Sequence, residues 1–238
     1  MIGTSHVATE TRCQDHSAYA VVERPDGDAL VIALADGAGS AAASFHGAKT
    51  AVESAIAYLT AMLDQRDTLR LDDIGQCFAA ARERVLEVAA EYEHDVREYS
   101  STLLVAVATP RSTIVGQIGD GAIVVDDGLL HAATWPQQGE YANVTHFLVQ
   151  DDALEQLVTA EAGPAQRIAM FSDGLQNLAL QYETRTPYEP FFTPFFAYLE
   201  TASKPDAEVE EELRAYLDSP AVNARTDDDK SLVLAVRR

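Results

Sequence analysis

The sequence predicts a single α+β domain spanning residues 1–238. Three observations lead there. Strand-like apolar runs come first, two long helical patterns follow, then further strand-like runs and a closing one. That order segregates strands from helices rather than alternating them. Hydrophobic residues make up 47% of the chain, enough to fill a substantial core and to exclude disorder. No linker, repeat or low-complexity run divides it.

Ser17 to Glu23 (SAYAVVE) reads as a strand, and Pro25-Asp26-Gly27 turns it into a second. That second strand, Leu30 to Leu34, is apolar throughout, the pattern of a strand covered on both faces. Asp36 ends it. Gly37 and Gly39 are expected to let the backbone take positive φ and approach a ligand closely. Ser40 is expected to cap the next helix. Cys13, Gln14, Asp15 and His16 then stand at the entrance of the hairpin, near one end of a sheet.

Ser44 to Leu63 repeats Val52, Ile56, Leu59 and Leu63 at helical spacing. A second helix is predicted from about Asp72 to Asp95, with Ile74, Phe78, Ala81, Val85, Val88 and Tyr92 on one stripe. Arg82, Glu83, Arg84 and Glu87 form its solvated face. Strands are then predicted at Thr102–Ala108, Thr113–Ile118 and Ala122–Val125, with Asp127-Gly128 as a tight hairpin. Thr145–Val149 and Arg167–Phe171 read as further strands. A short helix follows Ser172-Asp173-Gly174. Tyr188–Leu199 carries four Phe that pack a helix onto a core. Glu208–Leu217 is a polar-faced helix, and Ser231–Val236 the last strand.

The formal net charge is -21. Such a surface repels phosphate backbones and anionic headgroups, so neither nucleic acid nor a membrane is expected as partner. Two cysteines, Cys13 and Cys77, make no disulfide framework, and no CxxC pair suggests zinc. The N-terminus lacks a signal-peptide pattern, so a reduced, cytoplasmic setting is expected.

The chemistry-bearing pattern is a set of carboxylates at strand mouths. Asp36, Asp120, Asp173 and Asp228 share that context, the first three beside glycine, and Asp15 opens another strand. Each alone is an ordinary turn residue. Together, with no matching lysines, they repel one another unless a cation neutralises them. Oxygen-only ligands favour magnesium or manganese over zinc.

ADGAGS at 35–40, STLLVAVA at 101–108, IGDGAIVV at 118–125, FSDGLQ at 171–176 and DDDKSLVLAV at 227–236 resemble, in that order, the motifs of the metal-dependent serine/threonine protein phosphatases, the PPM or type 2C family. The Gly3-Thr4-Ser5-His6 start, Cys13-Gln14-Asp15, Gly139-Glu140-Tyr141-Ala142-Asn143 and FFTPFF look like a compact bacterial branch. The resemblance implies a four-layer αββα sandwich, two antiparallel sheets flanked by helices, with a dinuclear Mn2+ or Mg2+ site at one end. Asp36 would bridge two metals, and the Gly37 carbonyl would bind one. Asp173 and Asp228 would hold the other, with Asp228 placed three residues before Ser231 as the family pattern requires. Asp15 would add a ligand, and Asp120 would support a third, weaker ion shared with Asp173. A hydroxide bridging the metals would attack the phosphate. Asp36, Asp173 and Asp228 are then the catalytic candidates, with Gln14 and Asp229 supporting the ligands from behind.

Three positions depart from the family. Gln14 replaces one member of an acidic pair, which weakens a metal site. Glu10 stands where a phosphate-binding Arg is expected, leaving His6 and Arg12 as candidates. Ala38 replaces a proton-donating His. The implied activity is hydrolysis of phosphoserine and phosphothreonine in protein substrates paired with a serine/threonine kinase. The alternative is a non-catalytic regulatory scaffold that binds phosphoproteins. Gln14, Glu10 and Ala38 favour that alternative, whereas Asp36, Asp173 and Asp228 favour the enzyme. An acidic calcium-binding module fits less well, because the carboxylates are dispersed along the chain.

Overall fold

The structure, a computed structural model, describes residues 1–8, 12–66, 68–137 and 145–238. A short helix α1 (Thr4–Ala8) precedes the hairpin β1 (His16–Val22) and β2 (Ala29–Ala35). Two long helices follow, α2 (Ser44–Gln65) and α3 (Leu71–Glu91). Next come β3 (Leu103–Ala108), β4 (Thr113–Ile118), β5 (Ala122–Asp126), β6 (Leu130–Thr134), β7 (Val158–Ala162) and β8 (Arg167–Phe171). The C-terminal part holds α4 (Gln176–Ala179), the small hairpin β9 (Leu180–Gln181) and β10 (Thr186–Pro187), then α5 (Glu189–Thr201), α6 (Asp206–Leu217), α7 (Pro220–Asn223) and β11 (Leu232–Val236).

The strands form a five-stranded sheet in the order β1-β2-β3-β4-β7 and a four-stranded sheet in the order β11-β8-β5-β6. Every pairing is antiparallel. Alternation along the strands explains why both sheets are covered twice. In β2, Val31, Ala33 and Ala35 face α2 and α3, whereas Ile32 and Leu34 face the other sheet. In β8, Ala169 and Phe171 turn toward α5, while Ile168 and Met170 turn inward. The result is the expected sandwich of two sheets between helical layers.

The helices are held by the stripes that predict them. Val52, Leu59 and Leu63 of α2 and Ile74, Phe78 and Val85 of α3 are buried on the first sheet. Ala48, Ala51 and Ala55 let α2 lie close to it. Phe191, Phe192 and Phe196 of α5 are buried on the second sheet, and Phe195 packs edge-on against Tyr216 of α6. Fully burying one such Phe contributes roughly 1.5–3 kcal/mol.

Several local expectations are corrected. α2 begins at Ser44 with Ala43 as its N-cap residue, so Ser40 caps nothing. Instead, the backbone N–H of Ala42 donates to the Glu98 carboxylate and that of Ala43 to the Glu98 carbonyl. α3 ends at Glu91, and Tyr92 is 65% exposed rather than on the buried stripe. Thr145–Val149 is irregular chain and turn, not a strand. The edge strand β7 was not foreseen, its VTAEA sequence carrying too little apolar alternation.

Candidate active site

Register builds the site. His16 pairs with Ala35, so the chain sends Asp15 and Asp36 outward together from one end of the first sheet. Ala122 and Leu232 both pair with Phe171, so the loops carrying Asp120, Asp173 and Asp228 leave the second sheet at one end. The turn from β4 to β5 joins the two ends, because β4 belongs to the first sheet and β5 to the second. Gly119 in that turn has φ +116°, and a Cβ there would meet Thr102 at 2.4 Å.

Thr102 fixes the backbone of Asp36 from both sides. Its hydroxyl accepts from the Asp36 N–H at 2.9 Å, and its own N–H donates to the Asp36 carbonyl at 2.8 Å. Gly37 does not take positive φ, and neither does Gly39. The reason for Gly37 is space: a Cβ would lie 2.9 Å from the Gln14 carbonyl and from Ser44.

A pocket of about 150 Å³ opens here, lined by Asp36, Asp120, Asp173 and Asp228, by Gly37–Gly39, and by His6, Thr102, Thr145 and Phe147. Asp15 is buried behind it, its Oδ2 accepting from the Ser172 hydroxyl at 2.9 Å. The Asp120 carboxylate accepts from Thr145, and its backbone carbonyl accepts from Gln176 Nε2 at 2.6 Å. A larger groove of about 880 Å³ lies between the start of α2 and the end of α3, but it holds none of these residues.

The carboxylates are strongly perturbed. Burial pushes Asp36 well above the usual carboxylate range, and the charges of Asp15 and Asp173 push it the same way. Burial raises Asp15, and the hydrogen bond from the Ser172 hydroxyl works in the opposite direction. Asp173 is pushed up to about 7 by burial and then by the Asp120 charge. Asp120 is raised mainly by burial.

The donor set suits a hard cation. It is all oxygen, and three of its buried atoms, Asp15 Oδ1, Asp173 Oδ1 and Gln14 Oε1, have no hydrogen-bond partner. A buried orphan costs about 1–3 kcal/mol, so such atoms call for a ligand. Among the described residues no three His, Cys, Asp or Glu close around one metal-sized point. The fit therefore rests on donor type and burial, not on a preformed cage.

The remaining candidates separate. His6 lines the pocket with Nδ1 3.0 Å from Asp229 Oδ1. Arg12 stands outside it, its guanidinium 3.9 Å over the Phe45 ring. Among the described residues lining the pocket there is no Arg or Lys. Asp229 is 2% exposed and accepts from the backbone N–H groups of Gly3 at 2.6 Å and Gln14 at 2.7 Å. It therefore straps the N-terminus to the last loop, a role the sequence did not reveal. Asp228 precedes β11 in a loop, so strand alternation does not aim it. Glu10 and Gly139–Asn143 lie outside the described residues.

Comparison with known proteins agrees with this architecture. The family model described as Protein phosphatase 2C matches residues 2–218. The chain is 40% identical over 241 residues to Serine/threonine-protein phosphatase 3 of Escherichia coli (strain K12), covering 99% of this chain and 95% of that one. A crystal structure of a bacterial serine phosphatase superposes with TM-score 0.62 at 13% identity, covering 94% of this chain and 92% of its own. The serine/threonine phosphatase Stp1 from Staphylococcus aureus gives 0.60 at 14%, with 95% and 90% covered. At such identities the structural likeness concerns the fold. The family match and the curated relative go further: the chain belongs to the protein phosphatase 2C family.

Proposed function

We propose that the chain, acting as one domain over residues 1–238, hydrolyses phosphoserine and phosphothreonine in protein substrates with two divalent cations, Mn2+ or Mg2+. The observation that carries this reading is the half-buried Asp36 carboxylate, set among the charges of Asp15 and Asp173 beside orphaned oxygens. Asp15, Asp36, the Gly37 carbonyl, Asp173 and Asp228 would hold the cations, with Asp120 available for a third. When bound, the cations supply the positive charge that draws in the phosphate, offsets the growing transition-state charge and activates water.

The protein's own residues do the rest. Thr102 holds the Asp36 backbone in one position, so the carboxylate needs no reorganisation. Ser172 orients the Asp15 carboxylate directly, its hydroxyl donating to Oδ2. His6, backed by Asp229, presents an imidazole to the pocket wall and takes a phosphate oxygen where no Arg or Lys is at hand. Neither thiol is needed as a nucleophile. Substrates are phosphoproteins made by a serine/threonine kinase. A cytoplasmic setting is the expected one, because Cys13 and Cys77 are both free and make no disulfide framework. Among the described residues no helix is long and apolar enough to cross a membrane.

The test is phosphate release from p-nitrophenyl phosphate and from a phosphothreonine peptide. Activity is expected to vanish with chelator and return with Mn2+ or Mg2+, but not Ca2+. Activity surviving exhaustive chelation would overturn the two-cation reading.

A further inference from the structure

On the Asp120 side of the pocket stands the hairpin of β9 and β10, packed against β6. Three side chains from two elements meet there. The Trp135 and Tyr182 rings contact edge to face, with centroids 5.6 Å apart. The Arg185 guanidinium lies 5.5 Å from the Trp135 ring centroid. Tyr182 and Arg185 are exposed and Trp135 is half-buried, so the cluster is an open surface rather than core. Arg185 takes φ 53°, a left-handed conformation that is costly for a side chain with a Cβ and that fixes the direction in which it leaves the turn.

The cluster is wired to the pocket. The Tyr182 hydroxyl donates to Gln176 Oε1, and Gln176 Nε2 donates to the Asp120 carbonyl at 2.6 Å. Gln117 Nε2 donates to the Trp135 carbonyl at 3.2 Å and to the Gly119 and Gly121 carbonyls on either side of Asp120. Among the described residues no carboxylate forms an ion pair with Arg185. The guanidinium is therefore held in position by a ring and left with its hydrogen-bonding edge available.

Resting on the phosphatase reading above, we propose that Trp135, Tyr182 and Arg185 form a docking shelf for the peptide flanking the phosphorylated residue, with Arg185 selecting an acidic side chain in that flank. The aromatic faces cover the peptide backbone, and a fixed planar guanidinium matches a carboxylate. The chain's net charge of -21 does not oppose this at short range, because screening confines exposed charges to about 8 Å at physiological salt. The shelf therefore offers a local positive edge in an acidic surface, which is a specificity device rather than a source of bulk attraction.

The test uses two phosphothreonine peptides, one flanked on both sides by Asp and the other by Lys, with wild type, R185E and R185K. Wild type should favour the Asp peptide in kcat/KM by about fivefold, the size expected for one exposed charge pair. R185E should invert the preference through KM, and R185K should keep its sign. p-Nitrophenyl phosphate, which has no flank, reports whether the pocket itself is intact. An Asp-to-Lys ratio unchanged in R185E, with turnover intact, would overturn the shelf alone. No turnover of any phosphoester by wild type would overturn the phosphatase reading and the shelf with it.

Discussion

Asp229 Oδ1 accepts a hydrogen bond from the backbone N–H of Gly3 at 2.6 Å, across 226 residues of sequence. The partner oxygen accepts from the N–H of Gln14 at 2.7 Å. One buried carboxylate thus fixes the N-terminal segment and the residue before Asp15. Replacing it with Ala leaves two buried N–H groups unpaired, at about 1–3 kcal/mol each. Asp229→Ala is expected to lower stability by about 2–6 kcal/mol in urea unfolding. It should also weaken metal binding, because the Gln14–Asp15 backbone is released. Asp229→Asn keeps one acceptor and should fall between. Gly3→Ala tests the same strap from the other side, since a Cβ there would lie 2.4 Å from the Asp228 backbone. Unchanged stability in both Asp229→Ala and Gly3→Ala would show that the strap is not needed.

The raised carboxyl groups set the pH response of the metal-free protein. Asp173 titrates near 7 when folded, against 3.8 ordinarily. The folded state therefore binds the proton more tightly than the unfolded one. Its stabilising effect is present at low pH and is lost as pH rises through about 7. Asp15 and Asp36 shift in the same direction. In chelator, the melting temperature of wild type relative to Asp173→Asn should fall as pH is raised from about 5 to 8. The melting-temperature gain on adding Mn2+ should grow over the same range, because a cation needs the deprotonated ligands. A difference between the two proteins that is flat with pH would contradict the shift at Asp173.

Both thiols are held unreactive. Cys77 is buried and its thiol is pushed up to about 12 by burial alone. Cys13 is pushed to about 12 by burial and then by the Asp15 and Asp229 charges. Thiolate, not thiol, is the nucleophile, so near pH 7 neither cysteine is armed. Incubation of the folded protein with iodoacetamide should leave phosphatase activity within about twofold and mass spectrometry should find both cysteines unmodified. Rapid alkylation with loss of activity would place a thiol in the chemistry.

The fold was legible where one sequence pattern has one physical solution. β2 is apolar along its whole length because it is covered by helices on one side and a sheet on the other. The buried stripes of α2 and α3 follow from the same covering. β7 was invisible because it pairs only with β4 at a sheet edge and leaves Val158 and Glu161 exposed. Thr145–Val149 misled in the opposite direction: Leu148 and Val149 are buried in a turn that the Ser101 carbonyl holds through the Leu148 N–H. At the site, residue types and order announced the carboxylates. The contacts of Asp229 did not show, because Gly3 and Gln14 have no local pattern that points across the chain. Nor did the meeting of Trp135 with Tyr182 and Arg185, which belong to separate elements.

The three adjacent aspartates at 227–229 divide their work. Asp228 lines the pocket, and its Oδ1 accepts from the Asp229 N–H at 2.8 Å, which aims it there without help from a strand. The Asp227 side chain is exposed, and its carbonyl accepts from the N–H and hydroxyl of Ser5. Asp229 faces inward to Gly3 and Gln14. The family match ends at residue 218, so this assignment stands on geometry and on the spacing to Ser231. Asp228→Asn keeps the shape and the hydrogen bond to Asp229 but removes a charge from the pocket. It should lower kcat by roughly a hundredfold or more at saturating Mn2+, the loss expected for a main electrostatic group, with the melting temperature of the chelated protein unchanged or raised. Asp227→Asn leaves the carbonyl that Ser5 uses and should cost less than about threefold, the modest range of an exposed surface change. Asp229→Asn should act chiefly through stability, and Mn2+ in excess should restore much of its turnover. A dead Asp227→Asn beside an active Asp228→Asn would shift the last motif by one residue and move the metal ligand with it.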